Sequence, residues 1–432
     1  MSELDLSIVI LSLIHDQAAD DLVSSLGRVA RELAGERHEI IVVGGYGAAA
    51  AGDRRVIVER PPKTHGDALR LALGLARGRF IVTLDGDLSH PPEVLRDLWA
   101  AREDADIVVA SRYVPGGRAR LPVIRRILSR ALNLWFSRAL SLPVQDFSSG
   151  YRLYRAEVLR SLPPTQSRGH AVLPEILITA YAEGWAIKEI PFEHAAVGSS
   201  RPSWLARFAL EFAAAFLRLW KLRWSIFCAD YDYRAFNSRI WLQRYWHRCR
   251  YRFSLGFAGN GRTLDAGCGS SRILIGLAHA VGLDISPAKL RFMRRFGKPL
   301  VRGSVTALPF RGSSFDVVLC SQVIEHLPQP DSDLAIRELV RVLREGGRLI
   351  LGTPDYGRRE WRLTEKAYAL MAPWGYADEH VTHYTHASLL DRLTALGIVV
   401  DDERYILRGE LIVTGRKVPR RCELERTHAL DD

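Results

Sequence analysis

The stretch FIVTLDGDLSHPPE, residues 80–93, decides how the first half of the chain folds. Phe80 to Leu84 are apolar or β-branched, with no alternating charge. Such a run suits a strand buried on both faces, as in a parallel sheet. It stops at Asp85 and Asp87, and Gly86 between them permits a sharp turn. Two readings are open here. The aspartates cap the strand and the helix after it, or both aim at one divalent cation. A cation held by few carboxylates keeps positions free for phosphate oxygens.

Around this stretch the same rhythm repeats. LDLSIVILSL (residues 4–13), HEIIVVGG (38–45), RFIVTLDGD (79–87) and ADIVVASRY (105–113) read as strands, with DDLVSSLGRVARELAG (20–35) and GDALRLALGLARG (66–78) as helices between them. Strands alternating with helices predict an α/β layered domain. Near Arg262 the rhythm restarts with RTLDAGCG, VGLDIS, SFDVVLCS and GGRLILGTP, which predicts a second α/β sheet. At 432 residues the chain is too long for one ordinary core, so two domains are expected on size alone. The boundary is placed between Trp204 and Asp230: residues 1–203, a helix over 204–228, residues 229–418, and a polar tail over 419–432.

Hydrophobic residues at 47% and charged residues at 25% fit a globular protein and exclude a disordered one. The opening MSELDLSIVILSL reads as a first strand, not a signal peptide, and no apolar run is long and charge-free enough to span a bilayer. Five scattered cysteines suggest a reducing, cytoplasmic setting and no zinc pattern. A net charge of +11 suits nucleic acid or an anionic membrane surface, although the excess of arginine over lysine also fits a bias of composition.

The joining helix, WLARFALEFAAAFLRLWKLRW (residues 204–224), puts Arg207, Glu211, Arg218 and Lys221 on one narrow face. Phe208, Phe212, Phe216, Leu219 and Trp220 spread over the rest. A helix in a membrane surface and a helix docked in a groove between domains are both expected from such a face. The arginine-aromatic segment after it, residues 231–253, reads as a lid or lipid-contacting element. A nucleic-acid platform is the less favoured reading.

Downstream of the paired aspartates come SRY (Ser111 to Tyr113), DFSSGYRLYR (Asp146 to Arg155), PEIL (Pro174 to Leu177), IKEIPF (Ile187 to Phe192) and GSSR (Gly198 to Arg201). In this order and rough spacing the first half resembles family 2 glycosyltransferases of the dolichol-phosphate mannose synthase type. The resemblance implies a GT-A-like fold and transfer from a nucleotide-sugar to a polyprenyl phosphate or related lipid, with Mg²⁺ or Mn²⁺, peripherally on the cytoplasmic membrane face. It implies Asp85 and Asp87 as holders of the metal and donor diphosphate, with Asp87 and Asp146 in the catalytic centre. It places Glu175 in the supporting shell, and Arg112, Ser199 and Arg201 near phosphates. Lipid phosphate is already an anion, so displacement needs positioning and charge neutralisation more than a strong base. The chain departs from the family at Leu11–His15, LSLIH, and at Gly44 and Gly45, where the family carries paired aspartates that help hold the base. A front half that only binds is therefore the alternative expectation.

In the second half TLDAGCGSSR (Thr263 to Arg272) ends a strand and opens a helix, and Asp284 follows Asp265 by nineteen residues at the end of the next strand. Gly267 and Gly269 let the backbone approach a ligand, and a carboxylate at that distance can bond ribose hydroxyls. The residues alone leave NAD open. With ALPFRGSSFDVVLCSQVIEHL and LREGGRLILGTP the segment resembles class I S-adenosylmethionine-dependent methyltransferases of Rossmann-like fold. That resemblance implies Asp265, Gly267 and Gly269 at the amino-acid end of S-adenosylmethionine, Asp284 at its ribose and Ser304 toward the adenine. The absence of an Asn-Pro-Pro-Tyr-like motif argues against base methylation, and O-methylation of a sugar or lipid is the expectation. A hydroxyl acceptor benefits from a base, for which His326, His380, His383 and His386 are candidates, His326 and His383 foremost. QVIEHL (Gln322 to Leu327) also resembles methyltransferases that bind a metal through Glu-His pairs.

Overall fold

A computed structural model describes residues 4–13, 17–44, 55–58, 64–86, 89–194, 203–371 and 380–419. The chain divides into two units, Met1–Arg223 and Trp224–Asp432.

In the first unit the strands are β1 (Leu6–Leu13), β2 (His38–Gly44), β3 (Arg55–Val58), β4 (Phe80–Asp85), β5 (Ile107–Ser111), β6 (Arg118–Ala119), β7 (Arg152–Arg155), β8 (Ile187–Pro191) and β9 (Glu193–His194). The helices are α1 (Gln17–Ala34), α2 (His65–Leu75), α3 (Val94–Ala100), α4 (Val123–Ala139), α5 (Ala156–Ser161), α6 (Val172–Ala182) and α7 (Ser203–Trp224). The main sheet runs β3-β2-β1-β4-β7-β5-β8 among the described residues, parallel except at β7. The period of two along each strand sorts side chains to opposite faces. Val9, Leu11 and Ile81 enter one core, while Ile8, Ile10, Val82 and Leu84 enter the other. Both faces are buried, which is why β4 reads as an unbroken apolar run. The register sets Leu11 beside Asp85, so the sheet's carboxyl edge falls at the aspartate.

α7 belongs to this unit. Phe212, Ala215 and Leu219 are buried in its core, and Phe216 lies on Trp135 with ring centroids 4.0 Å apart. Arg223, fully buried, donates from Nε to Leu140 O at 3.1 Å and from Nη2 to Ser141 O at 3.3 Å. These bonds satisfy carbonyls just past the end of α4, where Ser141 has turned left-handed. The wide apolar face seen in the sequence is thus covered in part by the first unit. The break between the units falls between Arg223 and Trp224, at the last residue of α7.

In the second unit the helices are α8 (Tyr231–Ala235), α9 (Trp241–Ala258), α10 (Arg272–Gly276), α11 (Pro287–Met293), α12 (Gln329–Val342), α13 (Arg359–Met371) and α14 (His386–Ala395). The strands are β10 (Thr263–Ala266), β11 (Ala280–Asp284), β12 (Leu300–Arg302), β13 (Phe315–Ser321), β14 (Leu343–Pro354), β15 (Ile398–Ile406) and β16 (Glu410–Lys417). Their order is β12-β11-β10-β13-β14-β16-β15, with β16 antiparallel to both neighbours. This is an α/β Rossmann-like sheet. The chain leaves β10 toward one edge and returns at β13 to build the other. Ligands of open α/β sheets bind at such a reversal, outside the strands' carboxyl ends.

Candidate functional site

In the first unit the backbone N–H of Asp85 donates to His90 Nδ1 at 3.0 Å, and Gly86 N–H donates to Leu11 O at 2.8 Å. The turn after β4 is fixed by these two bonds. A Cβ on Gly150 would lie 3.0 Å from Asp85 Oδ2, so glycine there lets the DFSSG loop close on the carboxylate. His65 stacks on His170 with ring centroids 4.3 Å apart. Burial drives His65 down to about 4 against the pull of Asp85, and its Nε2 has no hydrogen-bond partner among the described residues. Asp87, Gly45, Ser199 and Arg201 lie outside the described residues, and Gly44 closes β2.

Arg112 and Asp146 form a closed unit. Arg112 donates from Nε to Oδ2 at 2.8 Å and from Nη2 to Oδ1 at 2.7 Å, and its backbone N–H reaches Oδ2 at 3.1 Å. Ser148 N–H, Ser148 Oγ and Ser149 N–H also donate to Oδ1. Burial opposes the charge on Asp146, but Arg112 holds its carboxyl below the usual range. A wholly buried carboxylate with so many donors has no free lone pair aimed at solvent. Asp146 thus ties Arg112 to the serine loop. Against the cost of burial, Asp146 first and Asp85 further off keep Arg112 charged.

The loop is also tied to α4. Asn133 accepts from Phe147 N–H at 2.7 Å, and its Nδ2 donates to Ser148 Oγ at 3.2 Å. Glu175 accepts from Gln166 N–H at 2.7 Å and Ser167 N–H at 2.9 Å, with Arg218 of α7 at 3.5 Å. Glu175 thus anchors the loop at Gln166 and Ser167.

In the second unit a cavity of about 600 Å³ opens where β10 and β13 diverge. Gly267 and Gly269 turn the chain at φ +75° and +52°. Gly267 N–H and Cys268 N–H donate to Leu283 O at 2.7 and 2.9 Å, which folds the loop against the end of β11. Asp284 accepts from Gly269 N–H through Oδ2 and from Ser286 N–H through Oδ1, both at 2.8 Å. Each oxygen retains a lone pair for a ligand hydroxyl. Asp265 Oδ2 is buried with no hydrogen-bond partner among the described residues. Burial, then the charge of Asp284, pushes its carboxyl up to about 7. Ser304 lines the same cavity just past β12. The five residues expected to hold the cofactor are therefore gathered around one cavity.

Of the four candidate histidines, His326 alone is among the residues lining it. His383 is exposed, lies on the Tyr356 ring at 4.0 Å, and approaches His380 O at 3.2 Å through Nε2. His386 pairs with Glu403 at 2.8 Å. The geometry gives His383 a contact with Tyr356, and His383 is not among the residues lining the cavity.

Four charged or titratable lining residues escaped the sequence reading: Asp232, His247, Arg250 and Lys289. Burial works against ionised Asp232, yet Lys289 and then His247 draw its carboxyl down to about 2. Arg250 is held by Glu410 through two bonds of 2.8 Å. Asp232, His247 and Arg250 come from the arginine-aromatic segment, which does serve as a wall of the cavity. Its alternation of arginine and aromatics marked the segment but not the individual residues.

A family model described as "Glycosyl transferase family 2" matches residues 24–162, and one described as "Methyltransferase domain" matches residues 264–351. The polyprenol monophosphomannose synthase of Mycolicibacterium smegmatis is 36% identical over 166 residues, covering 36% of this chain and 63% of that protein. The undecaprenyl-phosphate mannosyltransferase of Micrococcus luteus is 37% identical over 136 residues, covering 30% of this chain and 56% of that protein. The chain thus spans between about half and two thirds of the length of these relatives. Among solved structures, a SAM-dependent methyltransferase of Thermotoga maritima is similar over 43% of this chain and 94% of its own, at 20% identity and a TM-score of 0.37.

Proposed function

We propose that this chain, in which a family 2 glycosyl transferase domain precedes a methyltransferase domain, carries out two transfers: a sugar from a nucleotide-sugar to a polyprenyl phosphate, and a methyl group from S-adenosylmethionine to an oxygen of a sugar or lipid. The first is carried by the identity to two polyprenyl-phosphate mannosyltransferases together with the placement of Asp85 at the sheet's carboxyl edge. The second is carried by the cavity that collects Asp265, Gly267, Gly269 and Asp284.

Asp85 and Asp87 would hold Mg²⁺ or Mn²⁺, and the donor set fits a hard cation, with Gly150 clearing the space beside Asp85. When bound, the metal neutralises charge on the donor diphosphate. Arg112, kept charged and oriented by Asp146, supplies a fixed cation for phosphate. In the second domain the orphaned Asp265 carboxylate suits the ammonium of S-adenosylmethionine, and Asp284 suits its ribose. S-adenosylmethionine supplies the electrophilic methyl group. His326, one of the two histidines lining the cavity, would take a proton from an acceptor hydroxyl.

A lipid acceptor requires a surface that meets lipid, and α4 offers one. Val123, Ile124, Ile127, Leu128, Leu134 and Trp135 are exposed along it, beside Arg126, Arg130 and Arg138, with no acidic residue in the helix. Exposed apolar residues, a tryptophan and arginines together suit the interface of an anionic bilayer. No helix among the described residues is long and apolar enough to cross a membrane. Asn133 links this helix to the Arg112–Asp146 loop.

The methyl acceptor is tested by supplying tritiated S-adenosylmethionine with free polyprenyl phosphate or with its glycosylated form. Label entering the glycosylated lipid supports the ordered pair of reactions. Label entering neither overturns a sugar or lipid acceptor.

A further inference from the structure

We propose that the outer face of α9 is a docking surface for an anionic lipid bilayer and seats the second unit on it. Trp241, Arg244, Tyr245, Arg248, Cys249 and Arg252 line an open groove of about 300 Å³. They recur every three or four residues, so they share one face of the helix.

The inner face of α9 is rooted in the domain. Leu242, Gln243, Trp246, Ser254 and Ala258 are buried. Trp246 packs edge-on against Trp361 with ring centroids 5.5 Å apart, and Arg250 grips Glu410 through two hydrogen bonds. His247 and Arg250 line the cofactor cavity from this inner side. The groove therefore lies across the helix from the cavity, a width of roughly 10–12 Å.

The outer face carries charge that nothing in the domain cancels. α9 contains no acidic residue. Arg244, Arg248 and Arg252 make no ion pair among the described residues. Arg244 donates from Nη1 to Ser238 O, and Arg248 donates from Nε to Phe236 O and from Nη2 to Asn237 Oδ1, each at 3.2 Å. These acceptors are neutral, so they orient the guanidiniums without offsetting their charge. By contrast Arg250, Arg344 and Arg392 of the same unit are each paired with a carboxylate. Among the guanidiniums, Trp241 and Tyr245 are 64% and 50% exposed.

Three unmatched guanidiniums call for anions. An exposed indole and phenol beside them suit a boundary where one end of the ring is apolar and the other wet. The headgroup layer of an anionic bilayer offers both at once. A nucleic-acid strand also supplies phosphates, but it stacks successive bases on aromatic rings along a tracking groove. From Trp241 to Arg252 the groove runs only about 16 Å and carries two rings. This surface is separate from α4, and docking requires neither transfer reaction. Its consequence does rest on the methyltransferase reading: a lipid-borne methyl acceptor would be held one helix away from the cofactor cavity.

The test is sedimentation of the full-length chain with vesicles, in a background of I124E and I127E so that α4 does not contribute. The vesicles are phosphatidylcholine alone or phosphatidylcholine mixed equally with phosphatidylglycerol. The mixed vesicles should bind at least tenfold more tightly, and raising salt from about 0.1 M to about 1 M should weaken that binding at least tenfold. W241A combined with R252Q should lose at least tenfold, whereas W241F combined with R252K, which keeps ring and charge, should stay within about threefold of the parent. Neither Trp241 nor Arg252 makes a side-chain hydrogen bond or ion pair among the described residues. S-adenosylhomocysteine affinity, which reads the inner face of the same helix, should be unchanged in both variants. No binding of the parent to mixed vesicles, equal binding to the two kinds of vesicle, or undiminished binding by W241A with R252Q overturns the proposal. Tighter binding of single-stranded RNA than of mixed vesicles overturns it in favour of a nucleic-acid platform.

Discussion

Arg112 grips Asp146 through two parallel hydrogen bonds of 2.8 and 2.7 Å, and the carboxylate is wholly shut off from solvent. Breaking one side of a buried pair strands the other charge, at about 3–5 kcal/mol. Asp146→Asn is expected to destabilise the first domain by that order. Ser148→Ala, which removes a single hydroxyl, should cost about 1 kcal/mol. Denaturant midpoints compare the two. A loss no larger for Asp146→Asn than for Ser148→Ala would mean that the pair does not organise this site.

Asp265 gives the cofactor site a pH dependence. Its carboxyl titrates at about 7 in the ligand-free domain. A cationic ligand favours the ionised form, so binding releases a proton that the free site holds below that pH. Affinity for S-adenosylmethionine should therefore rise from about pH 6 to about pH 8 and then level off. Asp265→Asn should be weaker and flat with pH. For the ligand-free fold the sign is opposite. A raised carboxyl contributes stability that is present at low pH and lost as pH rises through about 7, so Asp265→Asn should gain stability relative to the native chain above pH 7. Calorimetry in buffers of different ionisation enthalpy reads the proton directly. Uptake instead of release contradicts the assignment.

The glycine turn is the most rigid requirement of that site. A Cβ on Gly267 would stand 2.3 Å from Val323 Cγ2, at a φ of +75°. Gly267→Ala should lower cofactor affinity at least tenfold. Adding Val323→Ala should recover only part of it, because left-handed backbone still costs about 1–2 kcal/mol. Equilibrium dialysis with S-adenosylhomocysteine measures both.

On α4, Ile124 is 76% and Ile127 60% exposed. Replacing either with glutamate should leave stability within about 0.5 kcal/mol. Burying an isoleucine in a bilayer interface contributes roughly 1.5–3 kcal/mol, so sedimentation with anionic vesicles should fall tenfold or more. Phe212→Ala in α7 should do the reverse, costing about 3–5 kcal/mol of stability while sparing vesicle binding. Equal vesicle binding by all three variants would remove α4 from the lipid contact.

These helices also mark the limit of what the sequence discloses. The α7 pattern stands out because its apolar face is wide, yet width alone does not distinguish lipid from protein as the covering. Arg223 discriminates, since it is buried against Leu140 and Ser141, but an arginine in a helix gives no sign of that from its neighbours. α4 looks ordinary in sequence, because six apolar residues at helical spacing normally face a core. The strands β1, β4 and β10 and the glycine turn after β10 were legible because burial on both faces and left-handed turns leave local signatures. β7, an antiparallel insertion of four residues holding the buried Arg152, left none. Asp232 and Arg250 reach the cofactor cavity from a segment whose helices carry no ligand motif. In the HVTHYTH stretch, three similar histidines diverge in place: His380 beside Glu325, His383 on Tyr356, and His386 on Glu403.

The central claim is that Asp85, which closes β4, serves sugar transfer together with Asp87. Its most direct test is to incubate the full-length chain with nucleotide-sugars, polyprenyl phosphate and Mg²⁺ or Mn²⁺, and to follow glycosyl-lipid by mass spectrometry. The expected result is metal-dependent product from at least one donor, lost more than a hundredfold in Asp85→Ala. Absence of product from every donor, or product that Asp85→Ala leaves unchanged, would contradict it.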